Sequence, residues 1–116
     1  MPAVTIYHNP RCSTSRKTLE LIRAKGIEPT IIEYITTPPS EAELEKILAL
    51  LGMEPRQLIR TKEAVYRDLR LENHQVTRRQ LIQAMVEHPI LIERPIVLSK
   101  GKAALGRPPE RVEAIL

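Results

Sequence analysis

One cysteine, no phenylalanine, no tryptophan and three tyrosines set the limits on this chain of 116 residues. A single thiol cannot close an internal disulfide, so no oxidised framework exists and a reducing compartment is expected. Three tyrosines offer little to stack on nucleobases, and the basic residues are spread along the chain. The net charge of +4 therefore does not point to nucleic acid. No apolar stretch approaches the roughly 18–20 residues needed to span a bilayer. The first residues show neither a basic n-region nor a long apolar h-region, which predicts no secretory signal and a soluble, cytoplasmic protein without membrane contact. No Cys, His or carboxylate cluster has metal-ligand spacing, so neither a metal nor a bound cofactor is expected, and His74 and His88 are assigned to the surface and to a helix end. Repeats, linkers and low-complexity runs are missing too, leaving one domain over residues 1–116.

What is present is an ordinary globular composition, 42% hydrophobic, in which 12 of the 18 basic residues are Arg. The planar fork of Arg suits phosphate-like oxyanions, although a solvated basic surface explains most such residues. The hydrophobic pattern predicts a strand at Val4–Tyr7, a helix ending at Gly26 and a second, β-branched strand over Thr30–Ile35. A strand-helix-strand unit of this length implies parallel pairing with a right-handed crossover. Ser40 and Glu43 form a capping box for a helix closed by Gly52. Short helices are predicted from Pro55 to Arg60 and from Glu63 to Leu69. A second capping box at Thr77 and Gln80 leads a helix that stops at His88-Pro89. Ile96-Val97-Leu98 and Ala103-Ala104-Leu105 read as a hairpin, followed by a last helix opened by Pro108-Pro109. The class is α/β: a small mixed β-sheet flanked by helices, with a helical insertion between β-α-β and β-β-α halves.

The lone cysteine falls within His8-Asn9-Pro10-Arg11-Cys12-Ser13-Thr14-Ser15-Arg16, between the first strand and the first helix. A helix start presents unpaired N–H groups and the positive end of a dipole, both of which favour an anion. A thiolate is such an anion, and Arg11, Arg16 and His8 nearby in sequence favour it over the thiol. The same place would cradle an oxyanion beside the sulfur. A buried structural thiol is the commoner fate of a lone cysteine, but Arg, His, Ser and Thr surround this one rather than apolar neighbours.

Ile6-Tyr7-His8-Asn9-Pro10 leading to Cys12, Thr14, Ser15 and Arg16, then Glu28-Pro29, then His88 through Val97, then Arg107-Pro108, occur together in this order. On these segments the chain resembles the ArsC-type arsenate reductases, the glutathione- and glutaredoxin-dependent branch of the thioredoxin-like fold, over nearly its whole length. The resemblance implies Cys12 as the nucleophile that attacks arsenate, with glutathione as co-substrate and glutaredoxin as partner. It implies Arg60, Arg94 and Arg107 as the oxyanion ligands, His8 as a residue that favours the thiolate and Ser15 as its hydrogen-bond partner. Pro95 would be the cis-proline bordering the active-site loop, and the protein would act as a monomer.

Taken singly, Arg60 and Arg107 read as surface arginines, and His8 could be a structural histidine at a strand end. Two other functions stand beside arsenate reduction. One is a redox-related regulator that binds RNA polymerase, although such sensors carry Cys-x-x-Cys where this chain has Cys12-Ser13-Thr14-Ser15 and so lacks a resolving thiol. The other is a family member that reduces a different substrate.

Overall fold

Alternation of apolar and polar residues at Val4-Thr5-Ile6-Tyr7 places Val4 and Ile6 on one face of a strand. In the computed structural model, which describes residues 3–116, that strand is β1 (Val4–His8). It leads into α1 (Ser13–Ala24), β2 (Thr30–Glu33) and then, after the inserted helices, β3 (Ile96–Ser99) and β4 (Lys102–Leu105). The sheet order is β2-β1-β3-β4; β1 and β2 run parallel, and the other pairs are antiparallel. The expected mixed sheet and parallel β-α-β unit are therefore present. Val4, Ile6 and Val97 from the sheet, Leu19 and Ile22 from α1, and Val112 and Ile115 from the C-terminal segment form one buried cluster. The hairpin between β3 and β4 turns on Lys100 (φ 55°) and Gly101 (φ 71°), the left-handed pair that a two-residue turn between twisted strands requires.

Two expectations for this unit change. β2 ends at Glu33, not Ile35, because its partner β1 ends at His8, opposite Glu33. With no strand left to pair with, the chain turns, and the N–H groups of Thr36 and Thr37 donate to the Glu33 carbonyl at 3.1 and 3.0 Å. The last helix is a 3-10 helix, Pro109–Ile115, not an α-helix. Its three-residue turn aligns Val112 with Ile115, so both reach the core.

Residues 38–93 form a second compact unit, all helical: α2 (Glu41–Leu51), α3 (Pro55–Leu58), α4 (Ala64–Asp68), α5 (Arg78–Glu87) and a 3-10 turn at Pro89–Leu91. Both capping boxes form. Ser40 Oγ accepts from the Glu43 N–H at 3.1 Å while Glu43 accepts from the Ser40 N–H at 2.9 Å; Thr77 and Gln80 repeat the exchange on α5. Leu44, Ile47, Leu48, Leu81, Ile82 and Met85 bury the facing sides of α2 and α5. Arg78 on α5 ties them from outside through Glu45 and Glu54. The helix expected over Pro55–Arg60 stops at Leu58, since Ile59 is extended and pairs with Ile92 in an isolated antiparallel bridge. His88 caps the end of α5 and His74 is exposed, as assigned. Among the described residues, no helix is long and apolar enough to cross a membrane.

Candidate active site

Asn9 and Pro10 break β1 and turn the chain into α1, and four hydrogen bonds shape that turn. The Cys12 N–H donates to the Asn9 carbonyl at 3.0 Å, and the Arg11 N–H to Asn9 Oδ1 at 3.0 Å. Arg16 reaches back to the Pro10 carbonyl at 2.8 Å, and the Asn9 N–H donates to Ser15 Oγ at 3.0 Å. Cys12 is thereby the N-cap residue of α1, with extended backbone (φ −95°, ψ 121°), no side-chain capping bond and 9% exposure. The thiol thus stands at the end of a three-turn helix where N–H groups lack intrahelical partners, the placement expected from sequence.

His8 and Ser15 meet beneath this loop. His8 Nδ1 lies 2.6 Å from Ser15 Oγ; both side chains are buried, and Ser15 is fully so. Burial is the main force holding the His8 imidazole below its ordinary value of 6.5; Glu33 across the strand pair opposes it, while Arg23 and Arg16 add to it. His8 is therefore neutral near pH 7, and it acts on its surroundings through hydrogen bonds rather than charge.

The sign of this shift yields a measurable consequence. Above pH of about 6.5 both folded and unfolded chains carry a neutral His8, and stability is fully present. Below it the unfolded chain takes up the proton first, so stability drains away as pH falls towards the lower folded value. Urea midpoints measured from pH 8 to 5 should decline below about 6.5, and His8→Gln should flatten that decline. An imidazole that titrates at 6.5 or above by NMR in the folded protein would contradict it.

The candidate oxyanion arginines fall in two places. Arg94 and Arg107 each precede a proline through a cis peptide, Arg94–Pro95 and Arg107–Pro108. The cis-proline expected at Pro95 is present; the second was not anticipated. Arg107 donates through NH1 to the Arg94 carbonyl at 3.1 Å, which brings the two residues together across 13 positions of sequence. Gly106 locks this corner to α1. Its N–H donates to the Pro95 carbonyl at 3.0 Å, and a Cβ placed on it would stand 2.5 Å from Thr18 Oγ1 and 2.8 Å from Pro95 Cγ. Thr18 is one and a half turns past the start of α1, so the arginine pair is anchored to the helix that Cys12 caps.

Arg60 belongs to the helical unit, between α3 and α4. Its guanidinium is held there by carboxylates: Nε and NH2 contact Glu63 Oε2 at 3.1 and 3.0 Å, and NH1 contacts Glu93 Oε1 at 3.0 Å. Besides that second cis peptide, three features escaped the sequence reading: Asn9 as organiser of the loop, the contact of Gly106 with Thr18 and Pro95, and the two acids on Arg60. An Asn-Pro pair after a strand and an isolated Gly before Arg-Pro are turn signals that could have flagged the first two. An opening of about 430 Å³ at the starts of α2 and α5 is lined by Glu41, Glu45, Thr77, Arg78 and Ile82 among others. It holds no nucleophile, and its charged side chains mark a solvated groove.

Comparison with known proteins identifies the family. The ArsC family model matches residues 7–115. The chain is 45% identical to an arsenate reductase of Neisseria meningitidis across the full length of both proteins. It is 50% identical to the uncharacterized protein YfgD of Escherichia coli K12, over 97% of this chain and 96% of that one. A solved arsenate reductase from Vibrio cholerae superposes with a TM-score of 0.96 at 50% identity, covering 98% of each chain. That agreement in fold includes the thioredoxin-like mixed sheet expected from sequence. With the family pattern running from the end of β1 to the last 3-10 helix, and relatives matched end to end, the chain belongs to the ArsC family.

Proposed function

We propose that the protein is a thiol-dependent oxidoreductase that reduces arsenate to arsenite, with Cys12 as nucleophile and glutathione and glutaredoxin as external reductants, in the cytoplasm. The observation that carries this reading is Cys12 at the start of α1, with the Arg94–Arg107 pair anchored to the same helix. The names of the arsenate reductases it is similar to support it from outside.

Arsenate is a tetrahedral oxyanion, and holding it takes several fixed donors aimed at its oxygens. Arg94 and Arg107 supply two, Arg60 is assigned as the third by family resemblance, and the first turn of α1 adds backbone N–H groups. The Cys12 thiolate attacks arsenic, a sulfur–arsenic bond forms, and one arsenate oxygen leaves as water after protonation. A glutathione thiol then attacks the Cys12 sulfur. The sulfur–arsenic bond breaks with its electron pair passing to arsenic, which becomes trivalent and leaves as arsenite. Cys12 is left as a mixed disulfide with glutathione, and glutaredoxin with a second glutathione returns it to the thiol. Two thiols are oxidised for each arsenic reduced by two electrons. His8 contributes through Ser15. With its proton on Nδ1, the imidazole and the Asn9 N–H both donate to Ser15 Oγ, which frees the hydroxyl proton for the thiolate.

The test is arsenate-dependent oxidation of glutathione by the purified protein with glutaredoxin, read together with arsenite formed and repeated with phosphate. Arsenite in step with glutathione oxidation is expected, and phosphate should bind without turnover because phosphorus has no accessible two-electron reduction here. No arsenite above the protein-free rate refutes the assignment.

A further inference from the structure

Arg60 is held by two carboxylates at once, those of Glu63 and Glu93. The side chains are partly buried, with Arg60 20%, Glu63 23% and Glu93 28% exposed, so the contacts are only partly screened. Two carboxylates thus converge on one guanidinium. The backbone around it is fixed. The Arg60 N–H donates to the Leu91 carbonyl at 2.7 Å, the Glu93 N–H to the Leu58 carbonyl at 3.0 Å, and Ile59 pairs with Ile92 between them. Leu58, Ile59, Leu91 and Ile92 are all buried. Glu63 stands three residues after Arg60, at the N-cap of α4. Both acids therefore occupy guanidinium N–H groups that an oxyanion would need, at a preorganised place.

We propose that Glu63 and Glu93 act as an acidic brace that sets the oxyanion affinity of Arg60: an incoming oxyanion must displace a carboxylate from the guanidinium before Arg60 can hold it. This rests on the assignment of Arg60 as an oxyanion ligand. Both acids are positioning residues, acting through Arg60. They aim the guanidinium at rest, and they raise the threshold for any anion that binds too weakly to exchange with a carboxylate.

Phosphate is the first probe, because its binding to the reduced protein can be measured by calorimetry without turnover. Glu63→Gln and Glu93→Gln should each tighten phosphate binding by about threefold to tenfold, the effect of removing one partly screened charge. KM for arsenate should fall by a similar factor, with kcat changed by no more than about twofold. In an Arg60→Ala background the same substitutions should shift phosphate affinity by no more than about twofold, since the brace acts only through Arg60. A purely structural ion pair would lower the melting temperature and leave this coupling at zero. Unchanged or weaker phosphate binding in both variants overturns the proposal. So does an equal gain without Arg60. Tighter phosphate binding in a protein that forms no arsenite supports the brace and rejects the reductase reading, so the two fail separately.

Discussion

Cys12→Ser is expected to lower arsenite formation by about a thousandfold or more while leaving the protein folded and as stable as before. The loss follows from chemistry. An alkoxide is far less accessible than a thiolate at neutral pH, and a serine ester of arsenic offers glutathione no sulfur to attack. The stability follows from position. Cys12 caps α1 without a side-chain capping bond, and Ser is among the residues that do best there, so the substitution should be neutral or stabilising by up to about 1 kcal/mol. Phosphate binding should survive, weakened by no more than a few fold, because the arginines are untouched and a serine cap takes up only one of the free N–H groups at the start of α1. Arsenite assays, calorimetry with phosphate and thermal melts on the same preparation separate these outcomes. Turnover by the serine variant at even a tenth of the wild-type rate, by rough scale, would remove Cys12 from the mechanism.

Gly106→Ala should be the most damaging small substitution in the sheet unit, costing about 2 kcal/mol or more and lowering the melting temperature by roughly 8 °C. The reason is space. The added methyl group would stand 2.5 Å from Thr18 Oγ1, 2.8 Å from Pro95 Cγ and 2.9 Å from Thr18 Cγ2. None of these neighbours yields easily. Thr18 is fully buried, β-branched and hydrogen-bonded to the Thr14 carbonyl at 2.9 Å, and Pro95 is a ring in the backbone. Relief must come from moving α1 away from the segments that carry Arg94 and Arg107. KM for arsenate should therefore rise along with the loss of stability. Thr18→Ala removes two of the three obstructing atoms, so the double variant Gly106→Ala with Thr18→Ala should cost less than the two changes summed. Strict additivity would show that the contact at Gly106 is not what couples the helix to the arginine pair.

The arginine pair and the cysteine loop show how the fold assembles the proposed anion site from ordinary parts. Arg107 alone is an exposed side chain, and Arg94 alone is the residue before a buried strand. What joins them is the pairing of Ile96 with Leu105, which sets the residues just before β3 and those just after β4 side by side. The hydrogen bonds Gly106 N–H to Pro95 and Arg107 to the Arg94 carbonyl then complete the corner. His8 is the counterpart on β1. Its strand position and the helical spacing of Ser15 bring two polar groups together in a buried place, where each satisfies the other.

The sequence by itself determined the local elements and the place of the lone thiol. Capping boxes at Ser40 and Thr77 specify helix starts through bonds three residues apart. Alternation at Val4–Tyr7 specifies a strand face, and Cys12 between strand and helix specifies a thiol at an anion-favouring end. Such signals are short-range, so they are legible one window at a time. The tertiary structure alone decided where β2 stops, because the length of β1 sets that limit, and it decided that Ile59 leaves the helix to pair with Ile92. It also decided that Arg94 and Arg107 meet, that Gly106 has room for hydrogen alone, and that Arg60 rests between Glu63 and Glu93. Each of these depends on the pairing or packing of segments remote in sequence or on a side-chain pose, and no local propensity encodes where a distant partner will lie.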